Sequence, residues 1–321
     1  MLNKINDHIK ELQKSFSDED EILLNNKEFK VSLNNFFELG SNESLNPKKV
    51  CFIDGGQAVL INASNFVLSF IRVAQVTYGL SGVEVSKVSN EVVEFYLLSV
   101  PKMIDGKLFY VSKIFCEGDS SCLFESKLLT ISPQDKLIRD GNNNASLVKV
   151  TNIARRFCEL RMAALMQEKS DIVVMDGSLD CKYPNEEEFL SALNGKVCSV
   201  SKSSTVFTRS GNSSAHLLGK LSPFSRWGYK LDDLNYFVKL NKLSKHVFRF
   251  QGNSSFLLDL MRLSNDAIFV GYPYGLIEVD RLARVTNRER ENKRLYLFSK
   301  NKDLELSLSS SNAHDILDNV W

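Results

Sequence analysis

Two short apolar runs of one design constrain this 321-residue chain more than any other feature. Lys48-Lys49-Val50-Cys51-Phe52-Ile53 leads into Asp54-Gly55-Gly56, and Asp171-Ile172-Val173-Val174-Met175 leads into Asp176-Gly177-Ser178. A brief continuous apolar run bounded by a turn signal reads as a buried strand. Each run therefore predicts a strand with a carboxylate at its tip. The glycine behind it lets the backbone turn sharply or lets another group approach closely. Two acidic strand ends far apart in sequence can converge on one metal ion or one phosphate.

The rest of the pattern sets these strands in a mixed α/β fold. Residues 1–40 predict two helices. Leu2, Ile5, Ile9, Leu12 and Phe16 share one helical face, and Phe29, Leu33, Phe36 and Phe37 form a second cluster. These helices pack on the core or serve as an arm for a partner. A polar loop over 41–47 follows. Strands are expected at 50–53, 58–61, 66–75, 92–100 and 108–115, joined by short links such as 78–82 into an antiparallel meander. Ile153, Phe157, Leu160 and Ala164 recur at helical spacing and predict a helix to about residue 168. Then come the Asp176 strand, a short helix at 186–193, strands at 197–201, 247–250 and 267–271, and a helix over about 277–292. That order suits a ribonuclease H-like mixed sheet flanked by helices, with additional N-terminal helices.

Composition narrows the chemistry. Forty basic residues against 39 acidic ones leave a net charge of +1, so a globally basic nucleic-acid binder is excluded and any such surface is local. No apolar run approaches the roughly 20 residues that span a bilayer. The N-terminus lacks a signal-peptide core, so the expected location is the cytoplasm. The six cysteines form no Cys-x-x-Cys pair and the four histidines lie at no zinc spacing, which argues against structural zinc and for reduced, buried thiols. A metal would be held by carboxylates, a ligand set that suits Mg²⁺ or Mn²⁺.

Two further acids stand out. Glu159 borders the buried stripe of Arg155-Arg156-Phe157-Cys158-Glu159-Leu160, and Asp280 follows the turn Tyr272-Pro273-Tyr274. Together with Asp54 and Asp176 they can hold two divalent ions, a pair that stabilises both attacking water and leaving oxygen in phosphodiester hydrolysis. Clustered carboxylates repel at low dielectric, so they gather only where a cation offsets them. Each also has a plainer reading. Glu159 can pair with a helix arginine, the Asp-Gly pairs can be ordinary turns, and Asp280 can answer a helix dipole. Lys202, after the strand at 197–201, is either a phosphate contact or a solvated lysine. Segments 281–294 and 226–249 each carry six basic residues against two acidic ones. The second interleaves Trp227, Tyr229, Tyr236 and Phe237, which suit base stacking or a core.

These pieces, in this order, resemble the NurA nuclease family: Ile53-Asp54-Gly55-Gly56, Arg155-Arg156 with Glu159, Val173 to Leu179, Val200-Ser201-Lys202, and Tyr272-Pro273-Tyr274 with Asp280-Arg281-Leu282-Ala283-Arg284. The resemblance spans about residues 50–290. It implies a NurA-like nuclease domain over 48–300 between a helical extension at 1–47 and a tail at 301–321. It further implies a DNA nuclease using Mn²⁺ or Mg²⁺, a homodimer, and a HerA-type hexameric ATPase as partner in DNA end processing. Asp54, Glu159, Asp176 and Asp280 would be metal ligands, and Lys202 would contact phosphate. Arg155, Arg156, Tyr274, Arg281 and Arg284 would contact DNA. The chain departs from the family in reading Asp-Gly-Gly where Asp-Gly-Ser is common, and Asp280 falls in a variable motif.

The leading expectation is thus a metal-dependent DNase with 5′→3′ exonuclease and single-strand endonuclease activity. An actin-like or sugar-kinase-like nucleotide-binding protein would also use two Asp-Gly turns, but its glycine- and threonine-rich phosphate loops and later Gly-Gly motif are missing here. A catalytically silent DNA-binding subunit of a translocase is the third reading.

Overall fold

In the computed structural model, which describes residues 1–15, 20–40, 46–118, 120–202 and 206–300, the apolar runs assemble into one large mixed sheet. The expected tail at 301–321, the side chain of Leu12, Phe16 and most of the 41–47 loop lie outside the described residues. In chain order the elements are α1 (Leu2–Ser15), β1 (Glu21–Leu24), β2 (Lys27–Lys30), β3 (Phe36–Glu38), β4 (Lys48–Asn62), β5 (Val67–Ser81), β6 (Glu84–Ile104) and β7 (Lys107–Cys116). Then follow α2 (Lys149–Met166), β8 (Ile172–Asp176), α3 (Glu186–Ser191), β9 (Val197–Ser201), α4 (Ser214–Leu221), β10 (Trp227–Lys230), β11 (Asn235–Lys239) and β12 (Phe248–Gln251). Three helices close the described chain: α5 (Leu257–Arg262), α6 (Tyr274–Ala283) and α7 (Asn287–Lys300).

The sheet order is β3-β10-β11-β12-β9-β8-β4-β5-β6-β7. Its centre has the expected ribonuclease H-like form. β4, β5 and β6 make an antiparallel meander, while β8 and β9 join β4 in parallel. A parallel neighbour needs a long crossover, and α2 lies within it. Side chains alternate across a strand, so the two faces of β4 belong to different cores. Cys51 and Ile53 pack with Ile153, Phe157 and Leu160 of α2. Val50 and Phe52 pack with Leu276, Val279 and Ala283 of α6. No helix among the described residues is long and apolar enough to cross a membrane. None of the six cysteines is in a disulfide, and Cys51, Cys122, Cys158 and Cys198 are buried.

Several local expectations are corrected. The second N-terminal helix is instead a hairpin, a 3-10 turn and a strand. Asn25 and Asn26 take positive φ of 50° and 61° between β1 and β2, the conformation of a tight two-residue hairpin turn. β3 then adds to the large sheet by pairing with β10. On α1, Leu2, Ile5 and Ile9 stay exposed rather than packing on the core. The segment 267–271 is not a strand, because the Asp266 carboxylate accepts hydrogen bonds from the Ile268 and Phe269 amides and turns the chain locally. The final helix is broken into α6 and α7 by extended backbone at Arg284. Thr286 restarts it by accepting a hydrogen bond from the Glu289 amide, a cap legible in Thr286-Asn287-Arg288-Glu289.

Gly275 lets the first turn of α6 lie directly on the Phe52 ring, since a Cβ there would stand 2.1 Å from the ring. Phe52 is fully buried and has little room to yield. Gly275→Ala is expected to cost about 1–3 kcal/mol, the usual range for overpacking a core, read as a lower urea midpoint at unchanged slope.

Candidate active site

The site forms where β8 and β9 end and β4 does not. β8 pairs with β4 only from Val50 to Ile53, whereas β4 continues to Asn62 along β5. Asp54 is therefore not at a strand tip: Gly55 and Gly56 are strand residues opposite Val73 and Arg72. Their glycine character serves close approach instead of a turn. A Cβ on Gly55 would lie 2.5 Å from Glu159 Oε1, and one on Gly56 would lie 2.1 Å from the Ala283 carbonyl oxygen. At Asp176 the expected turn is present, with Gly177 at φ +96°.

Alternation sorts the acids. Asp54 shares the α6 face with Val50 and Phe52, as Asp176 does with Ile172 and Val174. Glu159 comes from α2 on the opposite face and reaches the others only across the gap at Gly55. A cavity of about 470 Å³ is lined by Asp54, Asp176, Lys202, Arg155, Lys182 and Arg249, among others. Lys202 Nζ lies 2.7 Å from Asp176 Oδ2 and 3.9 Å from Asp280 Oδ1. The Tyr272 hydroxyl donates to Asp176 Oδ1 at 3.2 Å, and the Lys202 ammonium sits 5.3 Å from the centre of the Tyr272 ring. Arg155 is ion-paired with Glu159, as the sequence allowed, and Asp280 is held at 2.6 Å by Arg284 one turn later.

The electrostatics leave one carboxylate short of a partner. Asp176, Glu159 and Asp280 each have a direct ion pair, whereas among the described residues Asp54 accepts a hydrogen bond only from the Gly55 amide at 2.8 Å, with the Arg155 charge further off. Burial, then the charges of Glu159 and Asp176, push the Asp54 carboxyl up to about 7. Burial alone would lower the Lys202 ammonium, but its hydrogen bond to Asp176 and the charges of Asp176, Asp280 and Asp54 hold it above the usual lysine range. Among the described residues, no three acidic, histidine or cysteine side chains are gathered closely enough to ligate one ion as they stand. The donor chemistry still suits a hard dication, because Mg²⁺-type ions commonly take one or two carboxylates and complete their shell with substrate phosphate and water.

Other expected contacts fare differently. Arg156 is buried and donates to Glu186 Oε1 at 2.8 Å and to the Ser178 carbonyl at 2.7 Å, so it is structural. Trp227, Tyr229, Tyr236 and Phe237 are all buried core aromatics and stack on nothing outside the protein. Arg249, counted in the same basic stretch, is buried in a bidentate pair with Asp180. Tyr274 is partly exposed against Tyr78, and Arg281 and Arg284 are exposed on α6 and just beyond it. Asp180 and Lys182 were not singled out from the sequence, and Tyr272 was quoted only within its motif, with no role of its own. Their only signals were positions just before the Pro273 turn and just after Asp176-Gly177.

No family model matches the chain, and no curated protein matches it. Among solved structures it is similar to the NurA nuclease from Sulfolobus solfataricus, at 16% identity and a TM-score of 0.49 over 94% of each chain. It is also similar to Endonuclease V from Ciona intestinalis, solved with a 24mer DNA containing an inosine followed by a ribo-adenosine, at 13% identity and a TM-score of 0.42 over 91% of this chain and 98% of that one. The catalytic domain of human Endonuclease V gives 10% identity and a TM-score of 0.41 over 92% and 98%.

The raised Asp54 carboxyl has a thermodynamic consequence. The folded protein keeps this proton to about pH 7, while the unfolded chain releases it near 3.8. Between those values the folded state binds more protons, so this group's contribution to stability falls as pH rises. Asp54→Asn removes that penalty. In chelator, the variant should be more stable than wild type at pH 8 by an amount on the order of 2–4 kcal/mol, with the gap closing as pH approaches 4. Urea titrations across pH measure it, and a gap independent of pH would show that Asp54 is not crowded by its neighbours.

Proposed function

We propose that this protein is a metal-dependent DNA nuclease whose centre is built on Asp54 and Asp176. The observation that carries the reading is their position: two carboxylates from neighbouring parallel strands share one cavity with the Lys202 ammonium, and among the described residues Asp54, unlike Asp176, makes no direct ion pair. Asp54 and Asp176 would hold a divalent ion, Mn²⁺ or Mg²⁺, with Glu159 and Asp280 as further ligands on release from Arg155 and Arg284. Such an ion supplies Lewis-acid polarisation of a phosphoryl oxygen and offsets developing negative charge.

The chain's own groups have assignable tasks. Tyr272 orients Asp176 through its hydroxyl. Lys202, held charged by the surrounding carboxylates, presents a point charge where a phosphate enters. Gly55 keeps the space that the Glu159 carboxylate occupies. Asp54 exchanges a proton for a cation near neutral pH, so cation affinity rises with pH through that range.

The resemblance of the motifs supports the finer parts of the proposal: 5′→3′ exonuclease and single-strand endonuclease action, a homodimer, and a HerA-type ATPase as partner in a cytoplasmic DNA end-processing role. The 1–47, 48–300 and 301–321 divisions belong to the same proposal.

Labelled single-stranded DNA incubated with the protein and Mn²⁺ should be degraded, and Asp54→Ala or Asp176→Ala should reduce the rate at least about 100-fold, the scale of losing a charge-stabilising group. Mn²⁺ should also raise the melting temperature of wild type but not of Asp54→Ala. Protein that spares DNA, alone and with a HerA-type ATPase, yet hydrolyses ATP would move the assignment to a nucleotide-binding enzyme. Binding without cleavage under both conditions would indicate a silent subunit.

A further inference from the structure

The loop between β8 and α3 is held with unusual rigidity for a surface segment. The Asp180 carboxylate accepts from Arg249 Nη1 at 2.7 Å, Arg249 Nη2 at 3.1 Å and Gln251 Nε2 at 3.0 Å. Gln251 Oε1 in turn accepts from the Leu179 amide at 2.8 Å. Further along, the wholly buried Glu186 carboxylate takes the Lys182 and Tyr183 amides at 2.6 and 3.0 Å, and Arg156 grips the same carboxylate. Buried ion pairs of this kind contribute little net stability against an apolar replacement, so stability alone does not account for them. What they achieve is to fix a short loop from both ends.

That loop carries Lys182 to the wall of the cavity that holds Asp54, Asp176 and Lys202. Among the described residues the Lys182 ammonium makes no ion pair. Burial, then the charge of Arg156, lowers it from the usual lysine range against the opposing pull of Asp180 and Glu186. Arg249, itself paired with Asp180, lines the same cavity. An ammonium without an ion pair on the wall of a polar cavity suits an anion with several acceptor oxygens.

We infer that Lys182 seats a phosphate of the nucleic-acid strand other than the phosphate being cut. The inference rests on the nuclease reading and adds a second grip on the strand to the one at Lys202. A lysine there contributes positioning along the backbone with no base preference, since phosphate contacts carry no sequence information.

Binding of a fluorescein-labelled single-stranded oligonucleotide, followed by anisotropy in Ca²⁺ over a series of salt concentrations, tests it. Lys182→Ala should weaken binding at low salt and make the slope of log K against log salt shallower by about 0.7, the value for one lost single-strand phosphate contact. Lys182→Arg should restore the slope, and both variants should melt as wild type does. An unchanged slope in Lys182→Ala with wild type binding normally overturns this inference and leaves the nuclease reading intact. Failure of wild type to bind any DNA overturns both.

Discussion

The parallel pairing of β4 with β8 is the constraint on which the site depends. It sets Ile53 beside Met175 and so brings the acids that follow each, Asp54 and Asp176, to one end of the sheet. Because β8 turns away at Gly177 while β4 runs on, the edge of β4 beyond Ile53 has no neighbour from β8, and the cavity opens there. The same pairing demands a crossover, and the helix within that crossover supplies Glu159 and Arg155. A single register therefore recruits ligand candidates from both sides of the sheet.

Charge balance explains how such a cluster persists in a folded chain. Carboxylates held together away from water raise one another's proton affinity, and the protein answers with its own cations. Lys202 bridges towards Asp176 and Asp280, and Arg155 covers Glu159. Among the described residues Asp54 has a backbone amide and no direct ion pair. The neighbouring arginines illustrate how position on a helix divides labour. Arg155 and Arg156 are about 100° apart around α2, so one turns to Gly55 and the site while the other is buried against Glu186.

Chemistry and support are thus carried by different ion pairs. The Asp180–Arg249 and Arg156–Glu186 pairs are buried and shape the loop after β8, whereas Asp280–Arg284 is exposed to solvent and free to exchange partners. Screening by water makes an exposed pair weak, so the last can open for a ligand at little cost.

Much of this was legible in residues 50–53, 153–164, 172–178 and 197–202, where apolar runs and helical spacing are strong and local. The meander, α2 and the two parallel strands followed from hydrophobic period alone. What sequence misjudged were elements decided by small polar signals or by distant neighbours. Asn25-Asn26 made a hairpin out of an apparent helix, Thr286 restarted a helix, and Asp266 turned a supposed strand into loop. Glycine at 55 and 56 left open a turn or a close approach; pairing with β5 excluded the turn, and the missing side chains admit Glu159 and α6. The basic, aromatic stretch at 226–249 suited either base stacking or a core, and packing decided for the core, with its rings and Arg249 facing inward. Residue type by itself marked the carboxylates as candidate site groups and showed roughly which strands would bear them. Which acids meet, which cation each one holds and which lysine is left over were decided by tertiary structure, because electrostatic energy depends on distances that the order of residues does not encode.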